Sequence, residues 1–520
     1  MALQKEISIA LSYATSKGYQ IHPDAFAMLK GLEIDILKIV QDIIKIKIKQ
    51  KGDFFIIVDD IKNIIISKEK SSSTGIDNLD STTISSSYFD TSGLPDEYSK
   101  VILDPTSSVN TAEGVEGYTA LFRSRYEKSL RILAMRPDSK RITKIASVKL
   151  KANNTKIEKS YNIKGGRIGN PSSVVAGLLM SKYLRKSGVE IEIDDDTGIL
   201  TAVATTEELK KQVSMLALDQ MVMLEIENNN VNNKRRSQVS VVRSITSPDI
   251  PDHIPNRSKL ESFGVMISDL HVGSKYFMEI EFVKFLNWLS SSDHEIVDKI
   301  KFVCIGGDLI DGIGIFPNQD KELLEMNTEK QISHVEELLA KIPKHIKVFV
   351  IPGNHDLGRR AMPQPSIPRK NSEKLYSLEN FTMLGNPAFI ELNNVKILMY
   401  HGQSLDDIIA TTPGLTYSKP AEAMKVLLKA RHLSPIYGQR TPIAPEQEDM
   451  MVITEVPDIF HSGHVHVIDV QNYRGTLIVN SGAWQAQTNF QKTMGIMPTP
   501  AIAILVNLAT LQPFQMDFNL

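Results

Sequence analysis

Between residues 23 and 50, apolar side chains recur every three or four positions, at Ile34, Leu37, Val40, Ile44 and Ile48. That spacing predicts an amphipathic helix. A similar pattern runs from Leu3 to Tyr19. Lys and Ile alternate from Lys45 to Lys49, which leaves a strand open at that point. Phe54 to Ile61 reads as a short extended run and then a helix start, with Asp59 or Asp60 as its cap. Residues 1–70 are therefore expected to form a small, mostly helical unit, either a plain domain or one that docks a partner or DNA. Residues 71–115 change character. Ser, Thr, Asp and Gly dominate and large aliphatics are scarce, so a flexible linker is expected.

From residue 117 to 137 the helical period returns. Phe122, Tyr126, Leu130 and Leu133 share one face, while Arg123, Arg125, Lys128 and Arg131 fall outside it, as on a solvated basic surface. Pro137 should stop this helix. The pattern then becomes strand-like through ITKIASVKL, KIEKSYNI, VEIEIDDDTGILTAVA and MVMLEIE. Alternating Glu and Ile, an Asp/Thr/Gly turn and a second alternating run make a hairpin. With a helix from Glu207 to Met215 and a last strand near Val239 to Val242, the region suits an OB-type β-barrel. From about Ser262 onward, strands alternate with helices, as in a layered α/β sandwich. The expected fold class is thus multidomain α+β. Its parts are an N-terminal helical unit (1–70), a linker (71–115), a basic helix with barrel and connector (116–258), and an α/β-sandwich domain (259–520).

Composition narrows the setting. The 520 residues carry 59 Lys plus Arg against 61 Asp plus Glu, a net charge of −2. That balance argues against a wholly basic nucleic-acid coat but says nothing of a local groove. Cys304 is the single cysteine, so an internal disulfide and a thiolate zinc site are both ruled out. No apolar run approaches the roughly 20 residues that span a bilayer, and the first residues make a poor signal peptide. A cytoplasmic, reducing location is the expectation, with no membrane contact. Histidine is lopsided: of twelve, only His22 precedes residue 253.

Six of the twelve histidines fall within a set of five short segments, each at the end of an apolar run that reads as a buried strand. They are VMISDLHVGS (Asp269, His271), FVCIGGDLIDG (Asp308), VFVIPGNHD (Asn354, His355), ILMYHGQS (His401) and IFHSGHVHV (His464, His466). In open α/β sheets, ligands bind at the C-terminal strand ends. Asp and Asn supply hard oxygen ligands and His a borderline nitrogen, the donor set of a two-metal site. One carboxylate such as Asp308 can bridge two ions. Spacing of two residues in Asp269-x-His271 and His464-x-His466 would aim both donors to one side of an extended segment. Any one segment alone is explained as a turn with a satisfied histidine; five in this order are not explained by packing.

The motifs DLH, GDLID, GNHD, HG and GHVH resemble those of the calcineurin-like metallophosphoesterase superfamily. Longer strings, among them YEKSLRIL, HVGSKYF, GDLIDGIGIFP, RHLSPIYGQRTPIAPE and NSGAWQAQTNFQK, are similar to the small-subunit family of the archaeal family D DNA polymerases. The likeness covers roughly residues 115–500. It implies a phosphodiesterase domain acting as a 3′–5′ proofreading exonuclease on DNA with a 3′ end. The partner it implies is a large catalytic polymerase subunit in a heterodimer, and the sliding clamp is a further candidate. It also implies two divalent ions, Mn²⁺ first, with Mg²⁺, Fe or Zn²⁺ as alternatives. By this resemblance Asp269, His271, Asp308 and His466 hold the first ion, and Asp308, Asn354, His401 and His464 the second. His355 is then the catalytic histidine, with Asp356 to orient it. The competing expectations are an assembly role without catalysis and a free-standing metallophosphatase.

Other residues keep two readings. Arg431, His432 and Arg440 either touch DNA phosphate or cover an internal interface. Asp311 either bonds a metal ligand or caps a turn. Asp406 and Asp407 are expected to open a helix. Trp484 and Phe490 either stack a base or are buried near the sheet, with burial expected. His461 is expected to be structural, and Cys304 a buried strand residue.

Overall fold

The computed structural model describes residues 98–112, 114–136, 142–150, 172–228, 240–291 and 295–519, with shorter pieces between 20 and 61. Two compact units are separated at residue 92, Met1–Ser92 and Gly93–Leu520. In the first, β1 (Gln20–Ile21) pairs in parallel with β2 (Phe55–Ile56), and α1 spans Ile36–Gln50. Ile36, Ile39, Val40, Ile43 and Ile44 are buried. The Lys–Ile alternation at 45–49 is therefore helical, not a strand: it continues a 3.6-residue period already set. The helix expected at Leu3–Tyr19 and most of the expected linker, 71–97, lie outside the described residues.

The second unit opens with a correction. Residues 99–103, expected as linker, form strand β3 (Ser99–Leu103) on the edge of a sheet. Val101-Ile102-Leu103 supplies the apolar surface that the preceding Ser/Thr run lacks, and Asp104 accepts from Thr106 N and Gly385 N to fix the exit. Helix α2 (Gly114–Ala134) follows. Its Arg125, expected on a solvated face, is buried at 1% exposure, because Asp449 and the Pro435 carbonyl meet it there.

Five strands, β4 (Ser172–Arg185), β5 (Gly188–Asp195), β6 (Gly198–Ala204), β7 (Met221–Asn228) and β8 (Ser240–Thr246), close a barrel in the order β4-β5-β6-β8-β7. Helix α3 (Glu207–Ser214) lies between β6 and β7 in the chain. The hairpin turn is where the alternation places it, with Asp195 accepting from Thr197 N and Gly198 N. The strand expected at 142–150 is wrong: residues 145–150 are helical. Ile145 N donates to Asp195 and Ala146 N to Thr197, so the hairpin turn caps that helix, and Ile145 and Val148 pack into the barrel core. The first barrel strand is β4 instead, an almost continuous apolar run. KIEKSYNI lies outside the described residues.

The rest is a four-layer sandwich. One six-stranded sheet runs β12-β11-β10-β9-β18-β19, from Phe381–Met383, Lys347–Val350, Ile300–Ile305, Phe263–Ile267, Ile502–Asn507 and Gln512–Asp517. The other runs β16-β17-β15-β14-β13-β3, from Asp469–Tyr473, Thr476–Asn480, Ile459–Ser462, Val395–Met399 and Ala388–Leu392 to β3. Met266, Phe302, Cys304 and Phe349 of the first sheet pack against Ile397, Met399, Ile459 and Val479 of the second. Val265, Ile267, Val303 and Ile305 point the other way, under α4 (Glu279–Leu289) and α5 (Thr328–Leu339). The parallel strands are buried on both faces, which is why they read as unbroken apolar runs. Helices α6 (Leu405–Thr411) and α7 (Pro420–Ala430) cover the outer face of the second sheet. Cys304 lies between the sheets, where burial pushes its thiol up to about 12. Among the described residues, no helix is long and apolar enough to cross a membrane.

Candidate metal centre

The loops after β9, β10, β11, β14 and β15 converge at one end of the sandwich. Asp269, His271, Asp308, His464 and His466 all have left-handed backbone there, with φ of 56°, 53°, 52°, 69° and 62°. The expected reason for the pairing of Asp269 with His271 was strand alternation, and that reason fails. Both residues lie past the end of β9, and the reversed φ, not a period of two, turns them inward. Two glycines make room: a Cβ on Gly353 would strike Asp308, and one on Gly463 would strike Asp269.

Two donor groups result. In the first, His271 Nε2 lies 3.0 Å from His466 Nε2 and 3.8 Å from Asp269 Oδ1, while His466 Nε2 is 3.4 Å from that same oxygen. Asp269 Oδ1 is buried with no hydrogen-bond partner. Its other oxygen accepts from His464 N at 2.9 Å. In the second group, His401 Nε2 lies 3.3 Å from Asp308 Oδ2 and 3.0 Å from Asn354 Oδ1, with His464 alongside. Asp308 stands between the groups. His355 N fixes its Oδ1 at 2.8 Å, and its Oδ2 is 3.3 Å from His401, 3.7 Å from His271 and 4.0 Å from His355.

Neighbouring residues set the imidazole tautomers. His271 Nδ1 donates to Asp311 Oδ1 at 3.0 Å, and His401 Nδ1 to the Gly306 carbonyl at 2.8 Å, so each turns Nε2 toward the donor groups, where it can bind a cation once its proton is displaced. His464 Nε2 is 3.3 Å from Asp406 Oδ2, leaving Nδ1 available. Gln491 donates to His466 Nδ1 at 2.7 Å, and its own oxygen accepts from Thr488 N. His466 therefore carries its proton on Nε2, shared with His271. A cation bound there would displace it. His355 is held by the Asp311 carbonyl, 2.7 Å from Nδ1. Asp356, expected to orient His355, instead accepts from Leu309 N, Ile310 N and Gly353 N and pins two of the converging loops together.

Burial alone would push the site carboxyl groups up. The surrounding imidazoles override it: His466 and His271 hold Asp269 well below the usual carboxylate range, and His401 and His355 hold Asp308 down. The histidines shift in return. Burial depresses His271 and His401, yet Asp269 and Asp311 raise the first well above normal, and Asp308 carries the second up to about 9. Asp356 is pushed up to about 7 by burial and by Asp308. Anionic oxygens that draw protons onto imidazoles are the arrangement a divalent cation replaces. The orphan oxygen of Asp269 and the convergent imidazole nitrogens fit such an ion.

Three further residues complete the site. Asp406 and Gln491 each fix one imidazole, and Asp311 fixes two, His271 through its carboxylate and His355 through its carbonyl. A bond to a ligand is among the sequence expectations only for Asp311; Asp406 reads there as a helix-opening acid, and Gln491 appears only within the family-like string NSGAWQAQTNFQK, with no role attached. Arg431 and His432 are buried and bonded internally, Arg431 to the Ile453 and Thr454 carbonyls and His432 to Asp449. Trp484 is buried against Phe282 and Phe285. His461 is buried on Ser481. Phe490 stays 52% exposed, against the burial expected for it.

Residues 265–466 match the family of DNA polymerase alpha/epsilon B subunits. The DNA polymerase II small subunit of Archaeoglobus fulgidus is 37% identical over 80% of this chain and 78% of its own length. The chain belongs to the family of archaeal DNA polymerase II small subunits, the small subunits of the family D polymerases. The Pyrococcus furiosus member of that family is 36% identical over 78% of this chain, and the match spans 64% of that relative's length, a little under two thirds. Among solved structures, an archaeal phosphodiesterase superposes on 49% of this chain at 13% identity and a TM-score of 0.25, too low to carry an argument. In this small-subunit chain, all eight side chains expected in the site, Asp269, His271, Asp308, Asn354, His355, His401, His464 and His466, lie together at the strand ends.

Proposed function

We propose that this small subunit is a two-metal phosphodiesterase that removes nucleotides from the 3′ end of DNA, proofreading beside a large catalytic polymerase subunit. The observation that carries the reading is Asp308, buried between two histidine-bearing donor groups, with Oδ2 3.3 Å from His401 and 3.7 Å from His271. Asp269, His271, Asp308 and His466 would hold one ion, and Asp308, Asn354, His401 and His464 the other. Nitrogen and oxygen donors without sulfur suit Mn²⁺, and also accept Mg²⁺, Fe or Zn²⁺. Such ions supply charge neutralisation for the phosphodiester and a water acidic enough to attack near neutral pH. The chain's own contribution is placement. Asp311 fixes His271 and His355, so His355 Nε2 faces the cleft and can hold or pass a proton at the leaving 3′ oxygen.

The five-stranded barrel, read as OB-type, and the boundaries 116–258 and 259–520 belong to this proposal, as do DNA and the sliding clamp as partners. A second role, in assembly, is favoured by the barrel: β4 and β6 expose Met180, Tyr183, Leu184 and Ile199.

The test uses the full chain with its large subunit, Mn²⁺ and 3′-end-labelled single-stranded DNA. Stepwise shortening is expected, reduced about 10²- to 10⁴-fold by His355→Ala. Wild type that leaves the DNA intact, indistinguishable from His355→Ala, overturns it.

A further inference from the structure

The cleft in front of the donor groups encloses about 210 Å³, and its lining differs in chemistry from part to part. One wall is aromatic. Phe316 and Phe490 lie with ring centroids 6.0 Å apart at 31°, and Phe316 is 6.3 Å from the ring of His355. Another part of the lining carries Tyr417 and Arg440 beside Asp406. Arg440 is exposed, while its backbone N is anchored on the buried Asp407.

The aromatic wall is tied to the residues that hold the site. Phe490 sits in the helix Asn489–Met494, whose capping-box residue Gln491 bonds His466. Phe316 sits in the loop that Gln319 closes by donating to Asp311, the residue that fixes His271 and His355. Phe490 is 52% exposed, and the capped helix Asn489–Met494 presents it in the lining of the cleft that holds the donor groups. The two rings are too close to sandwich a base between them, which needs about 7 Å for two stacked layers. A base can instead lie on the outer face of the pair.

We propose that Phe316 and Phe490 are positioning residues that stack the 3′-terminal nucleobase, while Arg440 in the same cleft takes a backbone phosphate. This rests on the phosphodiesterase reading and narrows its substrate to nucleic-acid ends. A stacking face tolerates any base, because every base has a π surface, so the site measures the presence of a base and not its identity.

The full chain with its large subunit is tested with two oligonucleotides. The first ends in 2-aminopurine, whose fluorescence is quenched on stacking, and its binding is read without any requirement for cleavage. Wild type should quench it; Phe490→Ala and Phe316→Ala should not, and Phe490→Trp should restore quenching. The second pair compares a normal 3′ end with an abasic one. Phe490→Ala should raise KM about tenfold on the normal end with kcat little changed, and leave the abasic end unaffected. If quenching persists in both alanine variants, or the abasic end suffers equally, the platform is wrong. If wild type quenches but cleaves nothing, the platform stands and the exonuclease reading falls.

Discussion

Beside the middle of α2, His432, Asp449 and Arg125 are buried in contact. Asp449 Oδ2 lies 2.8 Å from Arg125 Nε and 3.0 Å from His432 Nε2, and Lys128 donates to the Asp449 carbonyl. At the cleft, Asp269 and Asp308 are buried among His271, His355, His401 and His466. Both clusters remove carboxylate and imidazole from water, which is costly unless the charge is matched. The first is matched by a fixed guanidinium, so His432 can stay neutral; burial and Arg125 push it down to about 4. The second has imidazoles as the groups that act most strongly on its carboxylates, and one Asp269 oxygen is left with nothing. The same residue types thus build a structural rivet in one place and a cation site in the other. What separates them is whether the chain itself supplies the permanent positive charge.

That contrast can be broken. The largest effect is expected for Asp308→Ala: Mn²⁺-dependent hydrolysis should fall by about 10⁴-fold or more, since both donor groups lose a shared ligand. In EDTA the same variant should lose less stability than Asp449→Ala, because the imidazoles facing Asp308 can give up their protons whereas the Arg125 guanidinium cannot. A loss as large as that of Asp449→Ala would make the two clusters the same kind of object. Asp449→Ala is the counterpart. Leaving Arg125 buried without its carboxylate should cost about 3–5 kcal/mol in urea unfolding, with hydrolysis per folded molecule unchanged. Asp449→Asn, milder, covers the case where the alanine variant does not fold.

Added Mn²⁺ should stabilise wild type by about 2.7 kcal/mol at a hundred times its dissociation constant, read from thermal melts, and EDTA should reverse the shift. Asp308→Ala should abolish that gain and Asp449→Asn should keep it. The smallest effect concerns pH. His432 titrates near 4 in the folded protein and at about 6.5 when unfolded, so the unfolded chain takes up the proton first as pH falls. Its contribution is complete above about 6.5 and declines toward 4. The difference in urea stability between wild type and His432→Gln should shrink by about 1–3 kcal/mol across that window. A flat difference curve would show that His432 does not titrate with folding.

Much of the fold is legible in the chain. The Glu–Ile alternation and the Asp-rich turn mark the β5–β6 hairpin, because one face of that hairpin is core and the other water. Unbroken apolar runs such as FVCI mark strands covered on both faces. Residues 142–150 read as a strand because a short apolar period is ambiguous, and the cap that decides it, Asp195, lies about fifty positions away in the chain. Arg125 reads as solvated for the same reason: its partner Asp449 is 324 residues distant. In the site, the donor residues are visible as motifs. Asp406 and Gln491 are not, since each looks like an ordinary helix-start residue until an imidazole is placed beside it.

The sequence by itself determined which side chains could carry the chemistry, and that they follow buried strands, because ligand type and strand periodicity are local properties. The tertiary structure alone decided how they meet. Five reversed backbone angles aim the donors, Asp311 and Gln491 set the tautomers, and Phe490 stays at the surface beside them. It also decided which carboxylates are neutralised by the protein's own cations, because charge matching depends on distance in space, which chain order does not encode.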